Sequence, residues 1–288
     1  MSFLNNNSLN DKPSLVKPIA IIVVILLLIG GSYVFFGKKN NTNSEAKNDP
    51  AEQVEIQASG LDKDMKIKNV EDVEKVLAKW IEANPKAIIA SVTNMQKKAI
   101  EQQIKDAQKN ISSKKDEIFN DANSASYAPS GFDVTIVEFF DYSCGYCKKA
   151  QSTVSDLLDQ DKKVRIIYKE YPILGQASVE MAQVAVAVNI INPAAYKKFH
   201  DALMKSNAHS KAEAINIAKS NGINSDKLEK TLKNEQEKIA KILQDNSVLG
   251  ASIGITGTPG FIIGEELIPG AMDIASFKEK IAAIRSKK

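Results

Sequence analysis

Cys144 and Cys147 are the only cysteines in the 288-residue chain, and Gly145 and Tyr146 stand between them. The run before them, Val134-Thr135-Ile136-Val137-Glu138-Phe139-Phe140, predicts a buried strand, and residues 148–158 predict a helix. A cysteine pair between strand and helix suits redox chemistry. Its sulfurs can close a small disulfide, and the first sits at the positive end of the helix dipole. A thiolate there is stabilised, and its pKa falls below the free value of about 8.5. Cys144, nearer the helix start and more exposed, is the expected nucleophile, and Cys147 would resolve the mixed disulfide it forms. Half a zinc site and an inert structural disulfide are the competing explanations. Structural zinc usually takes four protein ligands. No other cysteine exists to supply them, and His200 and His209 lie far along the chain. Neither histidine is assigned a role, and no metal or dissociable cofactor is expected.

The flanking residues extend this reading. Glu138 through Cys147 closely resembles the active-site segment of DsbA-like thiol-disulfide oxidoreductases, which have a thioredoxin fold. Much later, Gly257-Thr258-Pro259-Gly260-Phe261-Ile262-Ile263-Gly264 is similar to that family's cis-proline loop and the strand after it. A generic turn would account for Thr258-Pro259-Gly260 alone, because X-Pro bonds are cis only about 5–6% of the time in folded proteins. The two marks come in the family's order, with a helical insertion between them.

The resemblance implies an α/β, thioredoxin-like fold with a helical insertion over about residues 176–250. It implies a redox-active Cys144–Cys147 disulfide, and a Pro259 loop lying against Cys144 and facing the incoming peptide. Glu138 matches the family's buried acid, which would pass protons to or from Cys147; a strand glutamate facing solvent is the plainer alternative. Gly145, Tyr146 and Thr258 would tune the thiolate and line the substrate groove. Cys-Gly-Tyr-Cys is similar to the site of DsbC-type isomerases and ScsC-like proteins, whereas the oxidant DsbA carries Pro-His between its cysteines. Thr258 also resembles the isomerases.

Several elements must position this site. Residues 1–18 are polar, and residues 19–36 form an uncharged apolar run long enough to span a hydrocarbon core of about 30 Å. It reads as an uncleaved anchor or a signal peptide, and either exports the rest to an oxidising compartment such as a periplasm. Residues 37–69 make a polar linker with no capacity for a core. Residues 70–125 form a helical arm. Val70, Val73, Val76, Leu77, Trp80 and Ile81 fall on one face, Asn84-Pro85 breaks the helix, and a narrow stripe from Ile88 through Val92, Met95, Ala99, Ile100, Ile104 and Ala107 to Ile111 follows. Such a stripe suits self-association through residues 70–118, the plainer alternatives being a helix packed on the catalytic domain or a polar spacer. The arm also resembles the N-terminal segment of ScsC-like and Com1-like proteins, some of which use it to form dimers or trimers.

Residues 126–131 are expected to hinge the arm to a catalytic domain at 126–288. There a strand at 163–172 predicts a parallel pair with the first. Helices follow at 178–189, 193–205, 211–221 and 225–249, then a hairpin about Gly264-Glu265 and a final helix at 273–285.

A charge of 38 Lys+Arg against 35 Asp+Glu, net +3, is too mild to indicate nucleic acid. The expected function is an exported thiol-disulfide oxidoreductase that acts on cysteine-containing proteins, works with a membrane redox partner and leans towards isomerase. A DsbA-like oxidase is the alternative within the same chemistry. Outside it stand a surface or scaffold protein that keeps only the fold, and a copper-handling thiol protein.

Overall fold

The computed structural model describes residues 67–287. At its centre β2 (Val134–Phe140) runs parallel to β3 (Val164–Glu170), with Ile136 opposite Ile166 and Glu138 opposite Tyr168. α4 (Gly145–Gln160) makes the crossover between them. Both strands are covered on both faces, so they read as near-continuous apolar runs rather than as alternation. β4 (Gly260–Ile263) pairs antiparallel with the other side of β2, and β5 (Glu266–Pro269) returns beside it through Gly264, whose φ of 65° suits a residue without a side chain. β1 (Ala125–Tyr127) closes the opposite edge against β3, giving the order β1-β3-β2-β4-β5.

Alternate residues of β2 serve two separate cores. Ile136 and Phe140 pack with Val154 and Leu157 of α4 and with Phe277 and Ile281 of α10 (Ile274–Arg285), which Asp273 caps. Val137 and Phe139 face the other way, onto Ile111, Ile118, Leu249, Ile253, Ile255 and Ile262. At the far end of α10, Arg285 bonds Asp133 and Asp161, holding the approaches to β2 and β3 together.

Between β3 and β4 lies the helical insertion: α5 (Gln176–Ile191), α6 (Pro193–Lys205), α7 (Lys211–Ser220), α8 (Ser225–Asn234) and α9 (Gln236–Ser252). α5 is the hub, apolar on most sides and in contact with the other four. The single helix expected over 225–249 is broken at Glu235. Leu228, Leu232, Ile239 and Leu243 stay nearly in phase across the break, so no periodic signal marks it. A straight helix of that length would overrun α5 (about 24 Å at 1.5 Å per residue), and the break lets both halves pack on it.

The arm consists of α1 (Val70–Ala83), α2 (Pro85–Ser113) and the short α3 (Lys115–Phe119). Its apolar stripe divides in two. Val70, Val73, Leu77, Ile81, Ile88, Val92, Met95, Ile100 and Ile104 are exposed, whereas Ala107 is buried and Ile111 and Ile118 are buried against the sheet. Asn110 Nδ2 donates to the Ser252 carbonyl at 2.7 Å. Buried Lys169 reaches from β3 to the Asp121 carboxylate at 2.7 Å and the Glu117 carbonyl at 2.9 Å. The expected hinge over 126–131 therefore begins in an ordered strand, and the expected boundary at 125/126 falls inside β1, where Ser126 lies opposite Ile167. No helix among the described residues is long and apolar enough to cross a membrane. The expected span at 19–36 and nearly all of the linker lie outside the described residues. A parallel pair extended by an antiparallel hairpin, with helices on both faces, is a thioredoxin-like α/β fold.

Candidate active site

β2 ends at Phe140, and three residues carry the chain into α4. Cys144 is the helix N-cap, and its sulfur accepts from the Cys147 N–H at 3.3 Å. That contact places the first sulfur at the unsatisfied amides of the first turn, where negative charge is favoured. Cys147 lies one turn further on and is wholly buried, while Cys144 is 6% exposed. The order of exposure is the expected one, although the nucleophile candidate itself is largely covered. Both cysteines are free thiols here, so the expected Cys144–Cys147 disulfide is not formed in this structure.

The Thr258–Pro259 bond is cis, and the Thr258 carbonyl accepts from the Cys144 thiol at 3.2 Å. Residues 114 apart in sequence thus meet across β2 and β4. The Pro259 carbonyl is taken by the Gly270 N–H at 2.8 Å, which pins the loop to the end of β5. Gly257 is exposed and Thr258 half-buried, so backbone on the solvent side of the thiol is open to an extended chain. Tyr146 is 68% exposed, and Lys149 Nζ lies 5.6 Å from its ring centre.

Below the cysteines, Glu138 is completely buried, and neither carboxylate oxygen has a hydrogen-bond partner. Burial, and secondarily the charge of Asp201, pushes its pKa up to about 8. The Cys147 thiol is also pushed up, chiefly by burial and further by Cys144 and Glu138, against the lowering pull of the Asp141 backbone. A carboxyl able to lose a proton near neutral pH thus lies within electrostatic reach of a thiol that holds its own tightly. The solvent-facing alternative for Glu138 does not hold, because both faces of β2 are covered.

Two groups escaped the sequence reading. Asp141 is 1% exposed, and its carboxylate accepts from the Ser143, Ile173 and Leu174 amides at 2.7, 2.8 and 3.0 Å. His200, given no role, is fully buried among Phe140, Tyr142, Tyr168 and Tyr196. Its Nδ1 lies 3.1 Å from the Tyr142 hydroxyl and its Nε2 3.2 Å from Gln151 Oε1. Burial, then the nearby Lys197 charge, pushes it down to about 3. Tyr196 donates to Glu170 at 2.5 Å, a carboxyl that burial raises to about 7. Spacing alone signalled the burial of His200, since it follows Tyr196 by four and precedes Leu203 and Met204 on the inner face of α6. His209 is exposed. Among the described residues no group of three or more His, Cys, Asp or Glu is arranged to hold a metal.

Residues 135–282 match the family model of the DSBA-like thioredoxin domain. Among solved structures, the thiol-disulfide exchange protein alpha-DsbA2 of Wolbachia pipientis is 31% identical with a TM-score of 0.58, the match covering 62% of this chain and 95% of that one. ScsC of Proteus mirabilis in a transitional conformation is 26% identical with a TM-score of 0.58, covering 76% of this chain and 98% of its own. A curated relative, the Na(+)/H(+) antiporter NhaA 1 of Salinispora arenicola, is 24% identical over 162 residues, and the chain spans about a quarter of its length. Members of the DsbA-like family are thiol-disulfide oxidoreductases that use a redox-active cysteine pair and no external cofactor. With the family's domain matched over half of the chain, and that match holding the cysteine pair and the cis-proline loop together, this protein belongs to the DSBA-like thioredoxin domain family.

Proposed function

We propose that the protein is an exported thiol-disulfide oxidoreductase that exchanges disulfides in cysteine-containing proteins through Cys144 and Cys147, with isomerisation as its main direction. The supporting observation is the Cys144 thiol, 3.2 Å from the Thr258 carbonyl of a cis-proline loop, above buried Cys147. In the first step the Cys144 thiolate attacks one sulfur of a substrate disulfide. A Cys144–substrate S–S bond forms, and the other substrate sulfur leaves as a thiolate and takes up a proton. A substrate thiolate then attacks the mixed disulfide, returns Cys144 as thiolate and closes a different substrate disulfide, with no net electron transfer. Alternatively Cys147 attacks Cys144, the pair is oxidised, and the substrate leaves reduced by two electrons.

Glu138 takes the Cys147 proton in that second route through its ionised fraction, about a tenth of the protein at pH 7 for a pKa of about 8, and more as pH rises. Pro259 holds the loop, and Thr258 presents backbone to the substrate. Gly145 and Tyr146 set the reactivity of the pair, and the Cys-Gly-Tyr-Cys and Thr258-Pro259 sequences support the isomerase direction. A dithiol consumed by each reduction needs a two-electron donor, here a membrane redox partner. Export runs through residues 19–36, as signal or anchor, into a periplasm. The exposed apolar residues of α1 and of the first two-thirds of α2 serve to join copies of this chain through residues 70–118.

The reduction potential of the pair, titrated against glutathione and read by thiol alkylation, tests the direction. A value near −180 mV or below fits a pair kept reduced for shuffling, whereas one near −120 mV marks a disulfide donor and overturns the isomerase reading. No exchange with glutathione at all would sink the enzyme reading and favour a scaffold that keeps only the fold.

A further inference from the structure

Among the described residues Asp141 is the buried acid within the loop that carries the nucleophile, and all of its polar atoms are committed. Oδ1 takes the Ser143 N–H, and Oδ2 takes those of both Ile173 and Leu174. Its carbonyl accepts from Cys144 N at 3.1 Å, and its own N–H is directed at the Cys147 thiol. One residue thus bonds both cysteines through its backbone and two separate segments through its side chain. The second segment leaves the end of β3, where Tyr171 N bonds the Phe140 carbonyl at 2.8 Å, and it carries two consecutive exposed apolar residues, Ile173 (42%) and Leu174 (53%). The polar backbone of that segment is turned inward to a carboxylate while its side chains face solvent. Ser143 is held a second time, by Ser178 of α5 at 2.8 Å.

We propose that Asp141 is a positioning residue that locks the nucleophile's loop to the Ile173–Leu174 turn, and that this turn contacts apolar side chains beside the cysteine of a polypeptide disulfide. The inference rests on the thiol-disulfide exchange reading above. A substrate disulfide must come within bonding distance of Cys144, so the chain on either side of it crosses the surface that Asp141 holds in register. Charge-assisted bonds to three amides make that register stiff, and the exposed pair gains only when it is covered. A polypeptide is the occupant because its flanking residues supply the covering surface, whereas glutathione disulfide has no apolar side chains to offer.

The test compares full-chain wild type with Asp141→Asn and with Ile173→Ser/Leu174→Ser. Two probes are used, glutathione disulfide and a peptide disulfide flanked by leucine and phenylalanine. Asp141→Asn keeps the volume but replaces one acceptor oxygen with a donor, so it frees one of the two loops. The readout is the ratio of the peptide rate constant to the glutathione rate constant, with KM and kcat separated for the peptide. The ratio is expected to fall about tenfold in the double variant, since Ile173 and Leu174 are already about half covered and the peptide buries only part of what remains. In Asp141→Asn it falls similarly, as a rise in KM. A merely structural Asp141 would lower the thermal midpoint and leave the ratio of the folded protein unchanged, and that result overturns the proposal. Should Asp141→Asn fail to fold, the double variant decides, since both its side chains are exposed, and an unchanged ratio there is equally fatal. Wild type inert to both probes would instead defeat the exchange reading itself.

Discussion

Replacing Glu138 with glutamine should stabilise the reduced protein, and increasingly so as pH rises. Glu138 has no hydrogen-bond partner for either oxygen and titrates at about 8, against an ordinary value of 4.5. Below pH 4.5 both folded and unfolded chains carry it protonated, and it contributes no pH dependence. Between 4.5 and 8 the unfolded chain gives up its proton and the folded one keeps it, so stability drains away as pH rises through that window, at about 1.4 kcal/mol per pH unit. At pH 7 the accumulated loss is about 3 kcal/mol. Glutamine has the shape of the protonated acid and leaves the same site unbonded, so variant and wild type should coincide at pH 4.5 and diverge above it. Urea unfolding of both proteins, kept reduced and measured at each pH from 4.5 to 8, gives the difference directly. At pH 7 the variant should melt some 6–12 °C higher, at about 2–4 °C per kcal/mol for a domain of this size. A difference that stays flat across the range would refute the assignment of Glu138 as a buried, unpaired and proton-retaining acid. The same variant should release substrate from the mixed disulfide about a hundredfold more slowly at pH 7, because Cys147 loses the base that the ionised fraction of Glu138 supplies.

Four further outcomes follow from the geometry. Cys147→Ser should accumulate a stable mixed disulfide with a substrate polypeptide, visible on non-reducing gels, whereas Cys144→Ser should capture none. Gly250→Ala places a Cβ 2.7 Å from the Tyr171 ring, which already packs edge-on to Phe139 and bonds the Ile255 carbonyl. The clash of about 1–3 kcal/mol should outweigh a helix-propensity gain of about 1 kcal/mol and lower the urea midpoint. His200, lowered to about 3, stays neutral in the fold, so its contribution is intact above pH 6.5 and is lost as pH falls towards 3; its ring protons should show no titration by NMR from pH 8 to 4. Lys169→Met leaves Asp121 without its cation, and a loss of about 3 kcal/mol should accompany faster proteolysis across residues 107–125.

The reactive pair and its strand–helix frame were open to sequence because they are local, since Phe140, Cys144 and Cys147 lie within eight residues. The closeness of Thr258 to Cys144 was reachable only through family resemblance, for no periodicity joins residues 114 apart. Alternation could not orient Glu138, because a central parallel strand buries both faces, and odd and even residues look alike. Asp141 was hidden for another reason. Its three amide partners are backbone, and any residue at 143, 173 or 174 other than proline would offer the same donors. The break at Glu235 left no trace because the apolar stripe runs through it in phase.

The root of the arm has a practical meaning for where this protein can be divided. Ile111 and Ile118 cover Val137, Phe139, Ile167 and Ile262, the back of the sheet whose front carries the thiols. A fragment begun at the strand Ala125–Tyr127 would bare that back to water and forfeit the Lys169 anchorage as well. Residues 91–106, by contrast, are exposed along their whole length, about 24 Å of helix at 1.5 Å per residue. The seam of the molecule therefore lies partway along one unbroken helix, and a fragment that keeps the back of the sheet covered has to start ahead of Ala107, the first buried residue of that helix.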